Sequence, residues 1–302
     1  MEKWFVIINP VSGNNFVKKK KSLILDSLQK LKLEYEIAYT EYSKHEEVLV
    51  KLAVNKGFNK FISIGGDGTL HHVVNGVMNQ KVVSSSEVTI GVIPVGTGND
   101  WIKNNSIPKS IGKSIEILNN NYTSKLDIGK LKFENKEIYF NNLAGVGFDG
   151  YVVNKTNKLK FLGKLSYPIA SVIGFFGFKK CNLKFTFNDK TINHKSLMLI
   201  IGLDKYCGGG MRLTSNPDPK DGLFDLTIVK EISTLGLLIN IAKMYNGKLI
   251  EHKKVETYKS ERVKVEVLGK EIPFIQTDGE IIGKGSFEVE ILPLAISFVV
   301  GK

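Results

Sequence analysis

The chain has 302 residues, 42% hydrophobic and 24% charged, with 42 Lys and Arg against 30 Asp and Glu, a formal charge of +12. That length exceeds one typical small core and fits two domains, and the two cysteines, Cys181 and Cys207, exclude a disulfide framework and suit a reducing cytoplasm. No nucleic-acid module or RNA-binding aromatic pattern accompanies the basic charge, so anionic lipid is its better partner, each lysine near such a surface contributing roughly 1 kcal/mol.

Trp4 to Ile8 is a first strand, too short for a signal peptide, and it opens into Asn9-Pro10-Val11-Ser12-Gly13. Phe16 to Leu31 reads as a helix with Ile24, Leu28 and Leu31 on one face. The four lysines Lys18 to Lys21 near its start read as a solvated face, with a membrane-facing role as the sharper alternative. Glu34 to Thr40 is a second strand. Glu46 to Asn55 is a helix carrying Val48, Leu49, Leu52 and Ala53, stopped by Gly57. Phe61 to Ile64 then runs straight into Gly65-Gly66-Asp67-Gly68-Thr69, and Leu70, Val73, Val74, Val77 and Met78 follow at helical spacing. A polar connection over Lys81 to Glu87 leads to the strand Thr89 to Ile93, which empties into Pro94-Val95-Gly96-Thr97-Gly98-Asn99-Asp100. A helix near Ser110 to Leu118 closes the unit. Strands alternating with helices predict a doubly wound parallel sheet over residues 1–124.

Near Lys125 the pattern changes. Short strands are expected at Ile128–Phe133, Ile138–Phe140, Asn182–Phe187, Leu197–Leu203, Leu226–Val229, Arg262–Leu268, Ile272–Gln276, Phe287–Leu292 and Ile296–Val300. Helices are expected at Tyr151–Lys160, Leu165–Phe176 and Thr234–Tyr245, the last capped by Ser233. The stretch Leu165 to Phe178 is apolar but too short to span a bilayer. Short strands with turn signals argue for a mainly antiparallel β-sandwich over 125–292.

Three strand ends with small polar loops can converge in a parallel sheet, where ligands bind beyond the carboxyl ends of the strands. A strand–glycine–helix junction leaves free N–H groups and the positive end of a helix dipole, which suits a phosphate. Asp67 is repulsive to phosphate unless a metal or ordered water mediates, so the loop asks for a nucleotide with Mg²⁺; an ordinary tight turn is the plain alternative. Thr40 and Thr97 end strands and could donate hydroxyls, or serve β-propensity and turn chemistry alone. Asn216 to Asp225 is an acidic turn in which Asp218, Asp221 and the Leu223 carbonyl could hold one hard cation. Asp278-Gly279-Glu280 follows a strand and also fits a hairpin turn. The only arginines are Arg212 and Arg262, so phosphate must be handled by backbone N–H groups, lysines and Mg²⁺.

These stretches, together with Gly145-Val146-Gly147-Phe148-Asp149 and Cys207 to Met211, resemble the diacylglycerol kinase catalytic-domain family of lipid kinases, sphingosine kinases and bacterial lipid kinases included. They occur in the family's order and cover nearly the whole chain. The double-glycine aspartate motif is shared with NAD kinases and phosphofructokinases; Pro94 to Asp100 is more specific to lipid kinases. The resemblance implies that residues 293–302 return to the first domain. It implies ATP binding at Asn9, Pro10, Val11, Ser12, Gly13, Thr40, Gly65, Gly66, Asp67, Gly68, Thr69, Leu70, His71, His72 and Thr97. It also implies a structural Mg²⁺ at Asp218, Asp221 and Leu223, distinct from the ion that travels with the nucleotide. Glu280 matches the proposed general base, with Asp67 as its rival, Asp278 as a positioning neighbour and Asp100 as a further carboxylate.

The chain departs from the family pattern where Leu70-His71-His72 replaces Leu-Asn-Glu, and where Trp101-Ile102-Lys103 replaces aromatic-Ala-Arg. The expectation is a cytoplasmic kinase, peripheral at the inner membrane face, that moves the γ-phosphoryl of ATP to a lipid hydroxyl, diacylglycerol first. Another lipid alcohol, such as a sphingoid base or phosphatidylglycerol, and a non-catalytic nucleotide and lipid sensor are the alternatives. A homodimer is compatible with the sequence.

Overall fold

In the computed structural model the described residues are 3–96, 98–158, 169, 174, 177–232, 240 and 242–302. The expected helices Leu165–Phe176 and Thr234–Tyr245, the cap Ser233 and the loop residue Thr97 fall wholly or largely outside them. Two compact units are present, Met1–Asp127 with Pro293–Lys302, and Ile128–Leu292.

The first unit is the parallel α/β layer structure that the strand–helix alternation predicts. Strands β1 (Trp4–Ile8), β2 (Tyr35–Tyr39), β3 (Lys60–Gly65) and β4 (Thr89–Pro94) lie in the order β2-β1-β3-β4, all parallel. The late strand β15 (Phe287–Val299) adds Ser297 and Phe298 beside Thr89 and Ile90, again parallel. Alternation along β1 sends Trp4, Val6 and Ile8 to one face. There they pack with Val17 of α1 (Ser12–Lys19), Ile24 and Leu28 of α2 (Lys21–Leu28) and Ile115 and Leu118 of α6 (Ile111–Asn120). On α3 (His45–Asn55) and α4 (Asp67–Asn79) the packing is close: a Cβ at Gly76 would press on Val50 and the Glu47 backbone.

Two local readings need correction. The single helix expected over Phe16–Leu31 is two, parted at Lys20 with φ −115° and ψ 27°. On α3 the buried stripe is Glu46, Leu49, Val50, Ala53 and Val54, whereas Val48 and Leu52 are exposed. Apolar residues surround this helix, so periodicity alone leaves its phase open.

The second unit is antiparallel. Around the long strand β9 (Lys190–Gly202), β8 (Cys181–Phe187) pairs its first half, and β7 (Leu143–Gly147) and β10 (Phe224–Lys230) flank its second. Leu199 and Ile201 of β9 enter one core cluster and Met198 and Ile200 another, so both faces of its second half are buried and Leu197 to Ile201 is an unbroken apolar run. Strand β13 (Phe274–Thr277) joins β7 to β14 (Glu280–Lys284), and β12 (Arg262–Val267) joins β8 to the start of β15. Strands β5 (Thr123–Phe133) and β6 (Lys136–Phe140) form a hairpin, and β11 (Val255–Ser260) pairs β10. The helix α7 (Phe148–Lys158) follows β7 directly, and α5 (Asp100–Asn104) follows the β4 loop.

The sequence predicts no strand at β7, β11 or β14, and two strands where β15 runs unbroken. Between them Leu294 turns to φ +47° and donates its N–H to Asp127 Oδ1, carrying the strand through the irregularity.

Candidate functional site

The carboxyl ends of β1, β3 and β4 gather most of the expected loop residues of the first unit. Val95 donates its N–H to the Gly65 carbonyl, and Asn9 donates its own to the Ile64 carbonyl. A Cβ on Gly96 would lie 2.5 Å from the Gly66 Cα, so the two glycine loops touch backbone to backbone. Gly13, at φ +64°, turns so tightly against the Val95 carbonyl that a side chain would collide with it. Asn9 Nδ2 donates to Thr69 Oγ1 at 3.1 Å, and Ser12 Oγ lies 3.4 Å from the same hydroxyl. Gly66 caps α4, whose first residue is Asp67. The result is a rim of hydroxyls and glycine backbone at a helix N-terminus, an arrangement suited to anions.

Asp67 already has a partner here: its Oδ2 accepts the Asp100 N–H at 3.2 Å, tying the two glycine loops together. Asp100 is buried, and Lys103 Nζ reaches its Oδ1 at 2.6 Å. Thus Lys103, one of the departures from the family pattern, supplies a local counter-charge. Thr40 is buried at the end of β2, its N–H given to the Ile8 carbonyl. Val11 is exposed and Leu70 is core. His71 is buried beside Asn75, and His72 Nδ1 lies 3.0 Å from Glu47 Oε1 on α3. Neither histidine shares the Asn9–Ser12–Thr69 bonds.

In the second unit Glu280 opens β14, half-buried. Asp278, at φ +48°, is held by backbone: its carboxylate accepts N–H groups of Asn141, Asn142 and Leu143 at 3.1, 3.1 and 3.0 Å. Gln276 Oε1 accepts the Gly279 N–H at 2.9 Å, while its Nε2 donates to Asp149 Oδ2 at 2.5 Å. Asp149 and Gln276 are both buried. The turn that leads into Glu280 is therefore held by the Asp278 carboxylate and by the buried Gln276–Asp149 pair.

The acidic turn is built from local bonds. Asp218 Oδ1 accepts the Lys220 N–H and Asp221 Oδ1 the Leu223 N–H, at 3.1 and 3.0 Å. Asp225 is buried and accepts from Ser215 N–H and Oγ and from Asn216 N–H. Lys259 Nζ stands 2.5 Å from Asp221 Oδ2. The donor set is hard oxygen, which fits Mg²⁺ rather than a soft metal. Lys259 shows that the turn draws positive charge. Among the described residues no group of three His, Cys, Asp or Glu side chains could hold a metal.

The sequence assigns no role to Glu46, Gln276 or Asp149. Asp149 closes the Gly145–Asp149 stretch that carries the resemblance, whereas Gln276 has no such signal and the buried face of α3 that holds Glu46 is open from periodicity. Burial pushes the Cys181 thiol up to about 11, which leaves it protonated and unreactive at neutral pH.

Comparison with known proteins fits this geometry. Residues 3–131 match the family described as diacylglycerol kinase catalytic domain, and residues 142–300 the one described as YegS C-terminal NAD kinase beta sandwich-like domain. A Bacillus subtilis diacylglycerol kinase is 29% identical over 287 residues, 94% of this chain and 91% of the relative. A Staphylococcus haemolyticus diacylglycerol kinase is 28% identical over 283 residues, 92% and 82% of the two chains. The crystal structure of a diacylglycerol kinase from Bacillus anthracis superposes with a TM-score of 0.76 at 19% identity, covering 99% of this chain and 97% of that one. That likeness concerns the fold. Fold and matched families together define a phosphotransferase with an alcohol acceptor. The chain belongs to the diacylglycerol kinase catalytic-domain family of lipid kinases, with the YegS-type sandwich as its second half.

Proposed function

We propose that this kinase transfers the γ-phosphoryl group of ATP to a hydroxyl of diacylglycerol, giving phosphatidic acid and ADP. The observation that carries the nucleotide part is the meeting of Asn9, Ser12 and Thr69 at the glycine-rich ends of β1 and β3. The acceptor follows from the relatives named as diacylglycerol kinases. A Bacillus subtilis relative matching 97% of this chain is named for lipid kinase activity without a stated lipid, which keeps another lipid alcohol as the second reading.

Phosphoryl transfer needs a held donor, neutralised charge and an oriented, deprotonated nucleophile. The rim hydroxyls and the α4 N-terminus hold the phosphates, a role the resemblance also implies for Thr97. Glu280 takes the proton of the lipid hydroxyl as its oxygen bonds to the γ-phosphorus and the bond from that phosphorus to the β–γ bridging oxygen breaks. Asp278, Gln276 and Asp149 hold the Glu280 turn in place. Asp67 orders the two glycine loops through the Asp100 N–H and is the rival base. Mg²⁺ bound with the nucleotide would neutralise phosphate charge, and a second ion would be held by Asp218, Asp221 and the Leu223 carbonyl. The lysine-rich surface draws the enzyme to the anionic inner face of the membrane; among the described residues no helix is long and apolar enough to cross one. Measuring ATP consumption against a panel of lipids and NAD tests the reading. Turnover with diacylglycerol supports it, turnover with a sphingoid base or phosphatidylglycerol selects the second reading, and turnover with NAD alone removes both.

A further inference from the structure

Glu46 is the one charged residue on the buried stripe of α3, and it is 2% exposed among Leu49, Val50, Ala53 and Val54. An apolar side chain would suit that stripe better, because burying a carboxylate is costly unless it is bonded. Its bond leads to the anion-binding rim: Glu46 Oε1 accepts from Asn9 Nδ2 at 3.1 Å. The same Nδ2 donates to Thr69 Oγ1 at 3.1 Å, and Asn9 Oδ1 accepts the Val11 N–H at 3.2 Å. Both amide hydrogens of Asn9 and its carbonyl oxygen are thereby committed, so the amide has one orientation. Thr69 Oγ1, receiving from Asn9, must point its own hydrogen elsewhere, toward Ser12 Oγ or toward an anion at the rim. The charged neighbours on α3 and α4 are Glu47 and His72, which pair with each other at 3.0 Å; both also act on Glu46 through space, while its side-chain hydrogen bond goes to Asn9.

We propose that Glu46 is a positioning residue for a nucleoside polyphosphate: it fixes the Asn9 amide and, through it, turns the Thr69 hydroxyl toward the phosphates. The proposal rests on the reading of the β1 and β3 loops as the ATP site. Nothing in the family resemblance assigns a role to this position; the buried bond to Asn9 does.

The test is titration calorimetry with MgATP on the full chain, with melting temperature recorded beside each affinity. Losing the oriented donor should weaken binding roughly tenfold in Glu46→Leu and in Asn9→Ala. Glu46→Gln keeps an acceptor oxygen and should stay within about threefold of wild type. The double variant Glu46→Leu with Asn9→Ala should bind no more weakly than Asn9→Ala alone, since both act through one amide. Additive losses, or wild-type affinity in Glu46→Leu, overturn the proposal. If Glu46→Leu does not fold, the swap Asn9→Asp with Glu46→Gln decides. It restores a hydrogen-bonded pair, but the carboxylate introduced on the β1 loop then takes the Thr69 proton. A melting temperature near wild type with MgATP binding still at least tenfold weak supports positioning, and restored binding overturns it. Failure of the wild-type chain to bind MgATP is a different result: it removes the ATP reading itself, and this inference with it.

Discussion

Asp67 and Glu280 are both carboxylates near loop glycines, yet their surroundings differ in kind. Asp67 accepts a backbone N–H from Asp100 and so holds one glycine loop to another. Glu280 stands at the start of a strand, on a turn that other residues hold. A group that orders a binding loop and a group that accepts a proton fail differently when neutralised. Glu280→Gln should cut kcat by roughly 10²- to 10⁴-fold, the scale of general-base loss, with ATP affinity nearly unchanged. Asp67→Asn should weaken MgATP binding as well as turnover while the protein stays folded. Single-turnover rates set beside nucleotide affinities separate the two. A wild-type single-turnover rate in Glu280→Gln, with Asp67→Asn inactive but still binding ATP, would make Asp67 the base.

The hairpin β13–β14 shows how an element is made rigid by groups remote in sequence. Gln276 is both donor and acceptor there, receiving the Gly279 N–H and giving to Asp149. Gln276→Glu would set two carboxylates against each other, so it should lower both the melting temperature and turnover, the latter roughly 10- to 100-fold. Adding Asp149→Asn reverses the pair and should recover most of both. A double variant no better than Gln276→Glu would show that the pair does not hold the turn. The acidic turn 216–225 is the second element with a testable device. If Mg²⁺ binds there it must share Asp221 with Lys259, and wild type should melt earlier in chelator than in Mg²⁺. The variant Asp218→Ala with Asp221→Ala should melt early in both. Chelator-insensitive melting of wild type would leave the turn as hydrogen-bonded chain with an ion pair.

At this scale the sequence was legible where structure is local. The strand–glycine–helix junction over Phe61 to Met78 was readable because a strand run, a glycine turn and a 3.6 period stand side by side, and β3 and α4 occupy it. Strand β7, Leu-Ala-Gly-Val-Gly, was not, because its glycines read as loop while both its neighbours in the sheet come from residues more than fifty positions away. The same holds for side chains. The loops of Asn9 and Thr69 could be named from motif, but the bond of Asn9 to Glu46 depends on the rotation of α3, which a helix apolar on most sides does not announce.

The whole molecule carries +12, and its exposed apolar residues include Val11, Phe16 and Leu23 around the lysines 18–21. Charge of this kind draws a protein to anionic lipid through a screened field, with a Debye length of about 8 Å at physiological salt. Binding to phosphatidylglycerol-containing vesicles should therefore weaken as salt rises, and neutral vesicles should bind less. Equal co-sedimentation on both would indicate apolar insertion alone. Such a surface would serve the lipid acceptor proposed above, and residues 3–131 match the diacylglycerol kinase catalytic domain. The most direct measurement of the central claim is transfer of label from γ-³²P-ATP, with Mg²⁺, into the organic phase of mixed micelles containing diacylglycerol, a sphingoid base or phosphatidylglycerol, with NAD in a parallel aqueous reaction. The account predicts label in phosphatidic acid. Label in phosphorylated NAD, or in no lipid at all while the folded protein binds ATP, would contradict it.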